Sequence, residues 1–445
     1  MSQGFSHSSA ALRDLAQQVL DHARASGATA CEVDVSEGYG QSVTVRRQEV
    51  DTIEYNRDKG LGVTVYLGQR RGHASSSDFS ADAVRASVDA ALAIARFTAE
   101  DDCAGLPEEA LLARKSPDLD LFHPWAIGVD AAIDLARRCE RSAFDVSPLI
   151  RNSEGASVSA QASHFISANS LGFMGGFASS RHYLSCSVIA GEGEDMQRDD
   201  WYVSDRDAAR LAAPEAVGDY AARRALARLG ARKLSTRKCP VIFEAPLAAG
   251  LIGNYVYAVS GGSLYRKTSF LIDSLGKQVF PEFVRISERP HLKGAMASAP
   301  FDDDGVATRD REAVKDGRVE GYFLSTYSGR KLGLPSTGNA GGSHNLLVEP
   351  GRHDLAGLLR EMGSGLLVTE LLGQGVNYVT GDYSRGAAGY WVERGEIAYP
   401  VHEITIAGNL KQMFAGIAEI GRDIVVRGSK QVGSILVDRM TVAGN

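Results

Sequence analysis

Two residues in the stretch 399–409, YPVHEITIAGN, carry the side chains of a possible metal site. His402 and Glu403 match the first half of the H-E-x-x-H motif, in which two histidines one helical turn apart bind zinc. The second histidine is absent, because Ile406 and Ala407 stand where it would be. The residues VHEITI have the pattern of a strand, which does not bring residues four apart to one metal. The sequence therefore predicts that His402 is a structural or hydrogen-bonding histidine rather than a zinc ligand.

Two serine–lysine pairs have the spacing of another catalytic motif, S-x-x-K. Ser235 with Lys238 forms one pair, and Ser328 with Lys331 forms the other. The S-D-N and K-T-G segments that accompany this motif in serine enzymes are missing, and no G-x-S-x-G segment occurs. The pairs therefore do not predict a serine hydrolase.

The composition limits the classes of function. The chain has 445 residues, enough for two or three domains, and its 48 basic and 55 acidic residues give a net charge of −7. A duplex nucleic-acid binder needs a basic face, so this balance argues against one. The five cysteines form no C-x-x-C pair, which favours reduced thiols and a cytoplasmic location. We find no signal peptide and no apolar run long enough to span a membrane.

The first 230 residues predict an N-terminal α+β domain. Helices at 9–26 and 81–97 flank an antiparallel meander, with a turn predicted at Asp58-Lys59-Gly60. After a Pro-rich, acidic segment at 100–128, where the domain could subdivide, helices at 129–143 and 214–229 flank a second group of strands. A basic cluster at 231–239 marks the predicted domain boundary.

Residues 239–445 predict a C-terminal β-rich domain. Short apolar segments alternate with glycines, and Lys-Asp-Gly and Glu-Arg-Gly predict hairpin turns. We expect an antiparallel barrel or sandwich with helices at 245–258, 353–363 and 409–418. The glycines of the run 373–389 indicate either the curvature of a barrel or the close approach of a ligand. The fold class is therefore α+β.

Six long segments resemble the TldD/PmbA family, and in particular its PmbA (TldE) branch. They are 179–199 (SSRHYLSCSVIAGEGEDMQRD), 223–253, 260–276 (SGGSLYRKTSFLIDSLG), 288–306, 327–345 (YSGRKLGLPSTGNAGGSHN) and 366–410, which ends in the YPVHEITIAGN stretch. The resemblance extends to the N-terminal TIEYNRDKGLGV and covers almost the whole chain.

The resemblance implies a subunit of a cytoplasmic zinc metalloprotease built from two related chains. In this family the TldD subunit carries an H-E-x-x-x-H helix and a distant cysteine ligand, whereas the PmbA subunit lacks them. Together the subunits trim unfolded or flexible peptides, including a microcin precursor and an antitoxin, inside an enclosed chamber. Zinc is then expected in the TldD-type partner, with no cofactor in this chain.

Carried over residue by residue, the TldD motif falls on the segment 245–250. Its two histidines correspond to Ala245 and Ala249, and its glutamate corresponds to Pro246. The segment 418–434, where the cysteine ligand would lie, contains no cysteine. The resemblance therefore implies no catalytic and no metal-binding residue in this chain.

The sequence leads to the hypothesis of a non-catalytic subunit that helps to form the peptide chamber. The run 373–389 is a candidate strand edge for the peptide backbone, and the substrate-binding candidates are Tyr383, Arg385, His402 and Glu403. Two alternatives stay open. The chain could be an enzyme by itself, with Ser328 or a metal site of another type. It could also be a homodimeric peptide-binding or regulatory protein without protease activity, and a homodimer is possible when the chain is made alone.

Overall fold

The computed structural model describes residues 4–444, and its N-terminal half alternates helices with long strands. Its elements are α1 Ser9–Ala25, β1 Ala30–Arg46, β2 Glu49–Leu67, β3 Arg70–Ser76, α2 Ala81–Phe97, α3 Val129–Val146, β4 Ile150–Asn169, β5 Met174–Gly175, β6 Ala178–Ala190, β7 Gln197–Asp205 and α4 Pro214–Ala227. The predicted helices are all present. Serine caps explain two of the starts, because Ser8 Oγ accepts a hydrogen bond from Ala11 N, and Ser80 Oγ accepts one from Ala83 N.

The N-terminal strands form one antiparallel sheet in the order β3-β2-β1-β4-β6-β7, with β5 paired to β4. Val33 and Val35 of β1 share a core cluster with residues of α1 and α2, whereas Val43 and Val45 share another with residues of α3 and α4. Side chains two apart on a strand point to the same side, so both helix pairs cover the same face of the sheet.

The turn predicted at Asp58-Lys59-Gly60 is wrong, because β2 runs through these residues in register with β1. The turn lies instead at Arg47 and Gln48, which have φ values of 53° and 64°. Their backbone N–H groups donate to the buried carboxylate of Glu140 on α3, at 2.8 and 2.7 Å. A tertiary contact thus stabilises a left-handed turn that has no glycine or asparagine.

A second buried carboxylate, Glu37, holds the segment before α1 on the sheet between the two helix pairs. It accepts hydrogen bonds from the backbone N–H groups of Ser6 and His7 at 2.6 and 2.9 Å. Burial acts to raise the pKa of Glu37, but these hydrogen bonds outweigh it and lower the pKa to about 2.

We expect Glu37→Gln to lower the free energy of unfolding at pH 7 by about 1–2 kcal/mol, since hydrogen bonds to a charged acceptor are lost. The ionised Glu37 stabilises the native state fully above its ordinary pKa of 4.5, and this stabilisation is lost as the pH falls through about 2. The difference between the two proteins, measured by urea unfolding, should therefore shrink between these pH values. Glu54→Gln, at an exposed position of β2, is the control and should show no such pH dependence.

The C-terminal half contains shorter strands and helices. They are β8 Arg237–Phe243, α5 Ala245–Ala258, α6 Gly261–Tyr265, β9 Ile286–Glu288, β10 Arg311–Lys315, β11 Arg318–Val319, α7 Thr326–Leu332, β12 Leu346–Val348, α8 Leu355–Met362, β13 Gly365–Leu372, β14 Val376–Asn377, β15 Asp382–Glu393, β16 Glu396–Asn409, α9 Leu410–Ala415, β17 Ile417–Ile420, β18 Lys430–Gln431 and β19 Ile435–Ala443. The predicted hairpin turns are confirmed at Asp316-Gly317 and Arg394-Gly395, where φ is positive.

Five of these strands close into a barrel, in the order β13-β8-β19-β16-β15 and back to β13. The predicted α+β fold with a C-terminal barrel is confirmed. The barrel is not purely antiparallel, however, because β8 and β13 pair in parallel. Val241 and Phe243 of β8 join the large core that also buries α5, whereas Ile242 points to the opposite side, against α8.

A second, five-stranded sheet in the order β11-β10-β9-β12-β18 lies beside the barrel. The strands of the first sheet end at Asp205 and those of the barrel begin at Arg237. The division of the chain at 230–239 and the subdivision near 100–128 stay predictions. Within residues 4–444, the longest apolar helices fall short of what crossing a bilayer requires. The five cysteines are free thiols, and Cys103 is the one that is not fully buried.

Candidate functional site

The residues at which the sequence predicted a lost metal site lie in the first turns of α5, directly after β8. Ala245 is buried, and Pro246 and Ala249 are half-buried on the open side of the helix. Ala245 N donates to Ser434 Oγ at 3.0 Å, and Pro246 has no N–H, as is common at a helix start. The local sequence therefore makes a well-satisfied helix start without a ligating side chain.

The geometry of this helix start does not fit a metal cation. Ala245, Pro246 and Ala249 have no donor atoms, and zinc requires Cys, His, Asp or Glu ligands. Within residues 4–444, no three His, Cys, Asp or Glu side chains are grouped so as to hold a metal.

A charged cavity of about 210 Å³ opens beside Pro246, between the two halves of the chain. Its charged lining residues are Arg198, Asp199, Asp200, Arg224, Arg228, Glu244, Glu370 and Arg427. Four are cationic and four are anionic, so the cavity is balanced when all of them are ionised. Trp201, Leu247 and Leu371 complete much of the wall.

Arg224 of α4 is the centre of the ion-pair network in this cavity. Its Nη1 donates to Glu244 Oε1 at 2.9 Å, and its Nε donates to Asp199 Oδ1 at 3.1 Å. Arg228, one helical turn later, pairs with Asp199 and with Glu370. Since α4 and β7 belong to the N-terminal half, Glu244 directly follows β8 and Glu370 lies on β13, the network joins the two halves.

The electrostatics favour the charged form of Arg224 but disfavour the charged form of Asp200. Burial acts to lower the pKa of Arg224, but the neighbouring carboxylates Glu244 and Asp199 outweigh it and raise the pKa above its ordinary value. Burial raises the pKa of Asp200, and the charge of Asp199 adds to this effect.

Arg427 reaches the same cavity from the loop before β18. Its guanidinium carbon lies 3.9 Å from the ring centroids of Trp201 and Tyr202, within the range of cation–π contacts. Its Nε and Nη2 are buried without a hydrogen-bond partner among the residues described, and burial lowers the pKa of its guanidinium. Arg427 belongs to the segment 418–434, where the family resemblance would place a cysteine ligand and where this chain has no cysteine.

His402 and Glu403 lie on β16 at a bulge, where both face the single residue Ala388 of β15. The His402 ring lies 3.5 Å from Gln197 of β7, and the exposed Glu403, with φ of 49°, pairs with Lys233 at 2.8 Å. The predicted strand is confirmed, and the two residues contact the junction between the halves. Their role in substrate binding stays a prediction.

Most of the run 373–389 is not a free strand edge, but β14, which lies within it, is the end strand of the sheet and pairs with β15 alone among the described strands. Strand β15 pairs with β16 on one side and with β13 and β14 on the other. A Cβ on Gly375 would lie 1.7 Å from Ser384 O, and one on Gly389 would lie 1.9 Å from Leu367 O. Gly375 and Gly389 are therefore required by the close strand packing of the barrel, in line with the first of the two interpretations of this run.

Tyr383 and Arg385 extend from β15 to the same side. Tyr383 is only 2% exposed and packs near Phe243 in the barrel core, and burial raises its pKa to about 12. A buried ring cannot contact a peptide unless the barrel opens, so the structure does not support Tyr383 as a surface contact. Arg385 is half-buried, and its Nε has no hydrogen-bond partner among residues 4–444. Arg385 therefore remains a candidate.

The two S-x-x-K serines have structural roles. Ser328 lies in the first turn of α7 and forms a capping box with Ser325. Ser235 accepts a hydrogen bond from the neighbouring Arg237. The capping role of Ser328 supports the structural interpretation of these pairs.

Sequence reasoning missed the network around Arg224. The one available signal was the spacing of Arg224 and Arg228, which places two arginines on one face of a helix without an acidic residue four positions away. This spacing indicates that their ion-pair partners lie elsewhere in the chain. Their partners lie 20 to 145 residues away in the chain, and no local pattern reveals contacts over such separations.

Three models of one protein family match successive parts of the chain. Models of the PmbA/TldA metallopeptidase family match residues 31–95 (domain 1), 122–229 (central domain) and 236–444 (C-terminal domain). The metalloprotease PmbA homolog of Haemophilus influenzae is 48% identical over 435 residues, 98% of this chain and 96% of that protein. The chain belongs to the PmbA/TldD metallopeptidase family. The metalloprotease PmbA of Escherichia coli O157:H7 is 51% identical over 413 residues, 93% of this chain and 92% of that protein.

Within the PmbA/TldD family, a metalloprotease TldD homolog of Haemophilus influenzae is more distant, at 26% identity over 251 residues and 51% of each chain. A crystal structure from Bacteroides thetaiotaomicron, described as a candidate modulator of DNA gyrase, is 26% identical, with a TM-score of 0.92 over 97% of this chain and 99% of that one. TldE from Thermococcus kodakarensis is 18% identical and shares the fold, with a TM-score of 0.84 over 97% of this chain and all of that one.

Proposed function

We propose that this chain is the non-catalytic subunit of a two-subunit zinc metallopeptidase that cleaves unfolded or flexible peptides in the cytoplasm. The observation that carries the proposal is the start of α5, where Ala245, Pro246 and Ala249 offer no ligand and where arginines line the adjoining cavity. The higher identity to PmbA proteins than to a TldD protein supports the assignment to the PmbA branch.

In this proposal the catalytic zinc belongs to a TldD-type partner. This chain contributes a rigid barrel and the wall of a peptide chamber, with Arg385 and His402 as candidate contacts. The peptides would be of the microcin-precursor or antitoxin type. The free, mostly buried thiols support a cytoplasmic location.

The proposal predicts that neither subunit is a full protease by itself. We expect the lone chain to contain no stoichiometric zinc and to leave an unfolded peptide intact. When it is titrated into a fixed amount of the TldD-type partner, cleavage should rise and level off at one chain per partner. Zinc is measured by mass spectrometry of the purified proteins, and cleavage by chromatography of the peptide.

Two results would contradict the proposal. The first is a lone chain that binds one zinc and cleaves the peptide with a sensitivity to chelators. The second is a partner whose activity does not change when this chain is added. A chain that binds the peptide as a homodimer and never supports cleavage would favour the regulatory alternative.

A further inference from the structure

A second cavity, of about 810 Å³, lies between the N-terminal sheet and the C-terminal half, and we call it the acidic cavity. Glu32 of β1 lines it from the sheet, residues of the segment 98–107 line it after α2, and Asp304 and Thr326 line it from the C-terminal half. It shares no lining residue with the cavity beside Pro246. The acidic cavity is therefore a separate feature of the junction.

Negative charge is in excess in this lining. Its charged residues are Glu32, Glu100, Asp101, Asp102 and Asp304, with Arg71 and Lys331 as the cations. Asp101 pairs with Lys331 at 2.8 Å, and Glu100 pairs at 3.4 Å with Arg70, which lies outside the lining. The other three acidic side chains form no ion pair within residues 4–444. Arg71 is then the one lining cation left to offset three carboxylates.

Hydrogen bonds hold two of these carboxylates in place. Glu32 Oε1 accepts one from the Tyr66 hydroxyl at 3.1 Å, and Asp304 Oδ2 accepts one from Thr326 N at 2.8 Å. Burial, and next the charge of Asp304, raise the pKa of Glu32 to about 7. The two carboxylates thus repel each other, and neither has an ion-pair partner among the residues described.

Two further carboxylates extend the negative region. Asp34 follows Glu32 by two residues on β1 and so lies on the same face of the sheet, and Asp303 precedes Asp304. Burial raises the pKa of Asp34, and the charges of Asp303 and Asp304 add to this effect. Both Asp34 and Asp303 are exposed to solvent. The charge around the cavity therefore favours a cation that enters from solvent.

A buried hydroxyl in the wall also lacks a partner. Thr326 is only 7% exposed, lines the acidic cavity, and has no hydrogen-bond partner for its Oγ1 within residues 4–444. Buried hydroxyls in folded proteins are nearly always hydrogen-bonded, because an unmade bond costs free energy. Since the backbone of Thr326 holds Asp304, a donor that reaches this carboxylate comes close to the unpaired oxygen as well.

The arrangement suits a long cationic side chain better than a metal ion. Within the part of the chain that the structure describes, no three His, Cys, Asp or Glu side chains are grouped so as to hold a metal. A metal ion needs its oxygen ligands around one point, whereas a guanidinium or an ammonium carries several donors on a flexible stem. Carboxylates that stand apart around a wide cavity fit the second kind of ligand.

We propose that the acidic cavity binds the cationic side chain of an arginine or lysine in a peptide, with Glu32, Asp304 and Thr326 Oγ1 as its acceptors. Hydrogen bonds between a cationic donor and a carboxylate are among the strongest in proteins, and the bound cation offsets the repulsion between the carboxylates. The proposal rests on the proposed function in one respect, that the ligand is a peptide.

The test measures peptide binding by the full-length lone chain, by fluorescence anisotropy, without zinc or a partner. Four labelled, N-acetylated and amidated peptides share one unfolded sequence and differ at one central position, which is Gln, Arg, Lys or Glu. We expect Arg or Lys to tighten binding about ten-fold or more relative to Gln, as hydrogen bonds between charged groups do. The Glu peptide should bind more weakly than the Gln peptide.

Glu32→Gln and Asp304→Asn remove a charge but keep an acceptor oxygen, and each should remove most of the gain and leave binding of the Gln peptide unchanged. Thr326→Val, which removes the unpaired hydroxyl, should reduce the gain. Glu54→Gln is the matched control and should keep it. Glu54 is exposed and pairs with Ser42, ten residues beyond Glu32 on β1, so it lies on the same face of the sheet but far from the cavity.

The variants should remain folded. Glu32→Gln and Asp304→Asn each remove one of several carboxylates that repel one another, so their melting temperatures should be equal to or above that of the wild type. Weaker binding of the cationic peptides then cannot be ascribed to unfolding.

The inference is overturned if neither cationic peptide binds more tightly than the Gln peptide, or if Glu32→Gln and Asp304→Asn both keep the gain. Equal losses in Glu54→Gln would also overturn it, since the effect would then come from the net charge of the chain. Its failure is distinguishable from failure of the proposed function, which depends on zinc content and cleavage in the two-subunit mixture. A lone chain that prefers cationic peptides, in a mixture that never cleaves, would support the inference and contradict the proposed function.

Discussion

Arg224→Met should lower the free energy of unfolding by about 3–5 kcal/mol, because removing one member of a buried ion pair leaves uncompensated charges behind. Arg224 pairs with Glu244 and Asp199, and the three side chains are between 9% and 13% exposed. The carboxylates would lose their main counter-charge while staying largely buried. Urea unfolding followed by circular dichroism measures the loss.

The neighbouring residue provides a matched control. Arg223 pairs with Asp219 on the exposed side of α4, and Arg223→Met should change stability little, since solvent screens exposed ion pairs. The triple variant Arg224→Met, Glu244→Gln, Asp199→Asn should regain part of the lost stability, because it removes the unpaired charges together with their partner. Equal losses in Arg224→Met and Arg223→Met would show that the network does not hold the two halves together.

Gly389→Ala should destabilise the barrel by about 3 kcal/mol or more, the range of severe overpacking against backbone. The added Cβ would lie 1.9 Å from Leu367 O, which belongs to the backbone of β13 and cannot rotate away. Gly389 pairs with Val368 in the ladder between β13 and β15 that closes the barrel. We expect poor soluble expression, or a much lower melting temperature of the purified variant.

Gly60→Ala separates this effect from a general intolerance of alanine in strands. Gly60 lies in β2, where the new Cβ would make an ordinary contact of 3.5 Å with Ser36 Oγ. Its stability should change by less than about 1 kcal/mol. A Gly389→Ala variant as stable as Gly60→Ala would mean that β13 and β15 move apart without cost and that barrel closure is loose.

Periodic patterns determined the helices with little error. The helix predicted at 245–258 has the same bounds as α5, and the helix predicted at 81–97 has the same bounds as α2, which Ser80 caps. These elements follow from residues close together in the chain, since capping and an apolar stripe are local properties. The turn at 47–48 does not, because Glu140 stabilises it from 92 residues away.

The candidate site likewise has some features that the sequence shows and others that only the tertiary structure shows. The lack of ligands at Ala245, Pro246 and Ala249 could be read directly from the sequence, because the absence of a donor atom needs no geometry. The close approach of Lys430 to Gly253 and the ion pair between Arg224 and Glu244 each join residues that are distant in the chain. They depend on how the elements pack in three dimensions.

The sequence by itself determined the class of fold, the helices, and the hairpins at Asp316-Gly317 and Arg394-Gly395, since each depends on residue type and short-range spacing. Only the tertiary structure decided that β13 returns to β15 and closes the barrel, which buries Tyr383 and leaves β14 as the end strand within the run 373–389. Hydrogen bonding between strands is non-specific in residue type, so the strand that completes a barrel is selected by packing across the whole domain. For the same reason, only the structure shows which cations lack a partner.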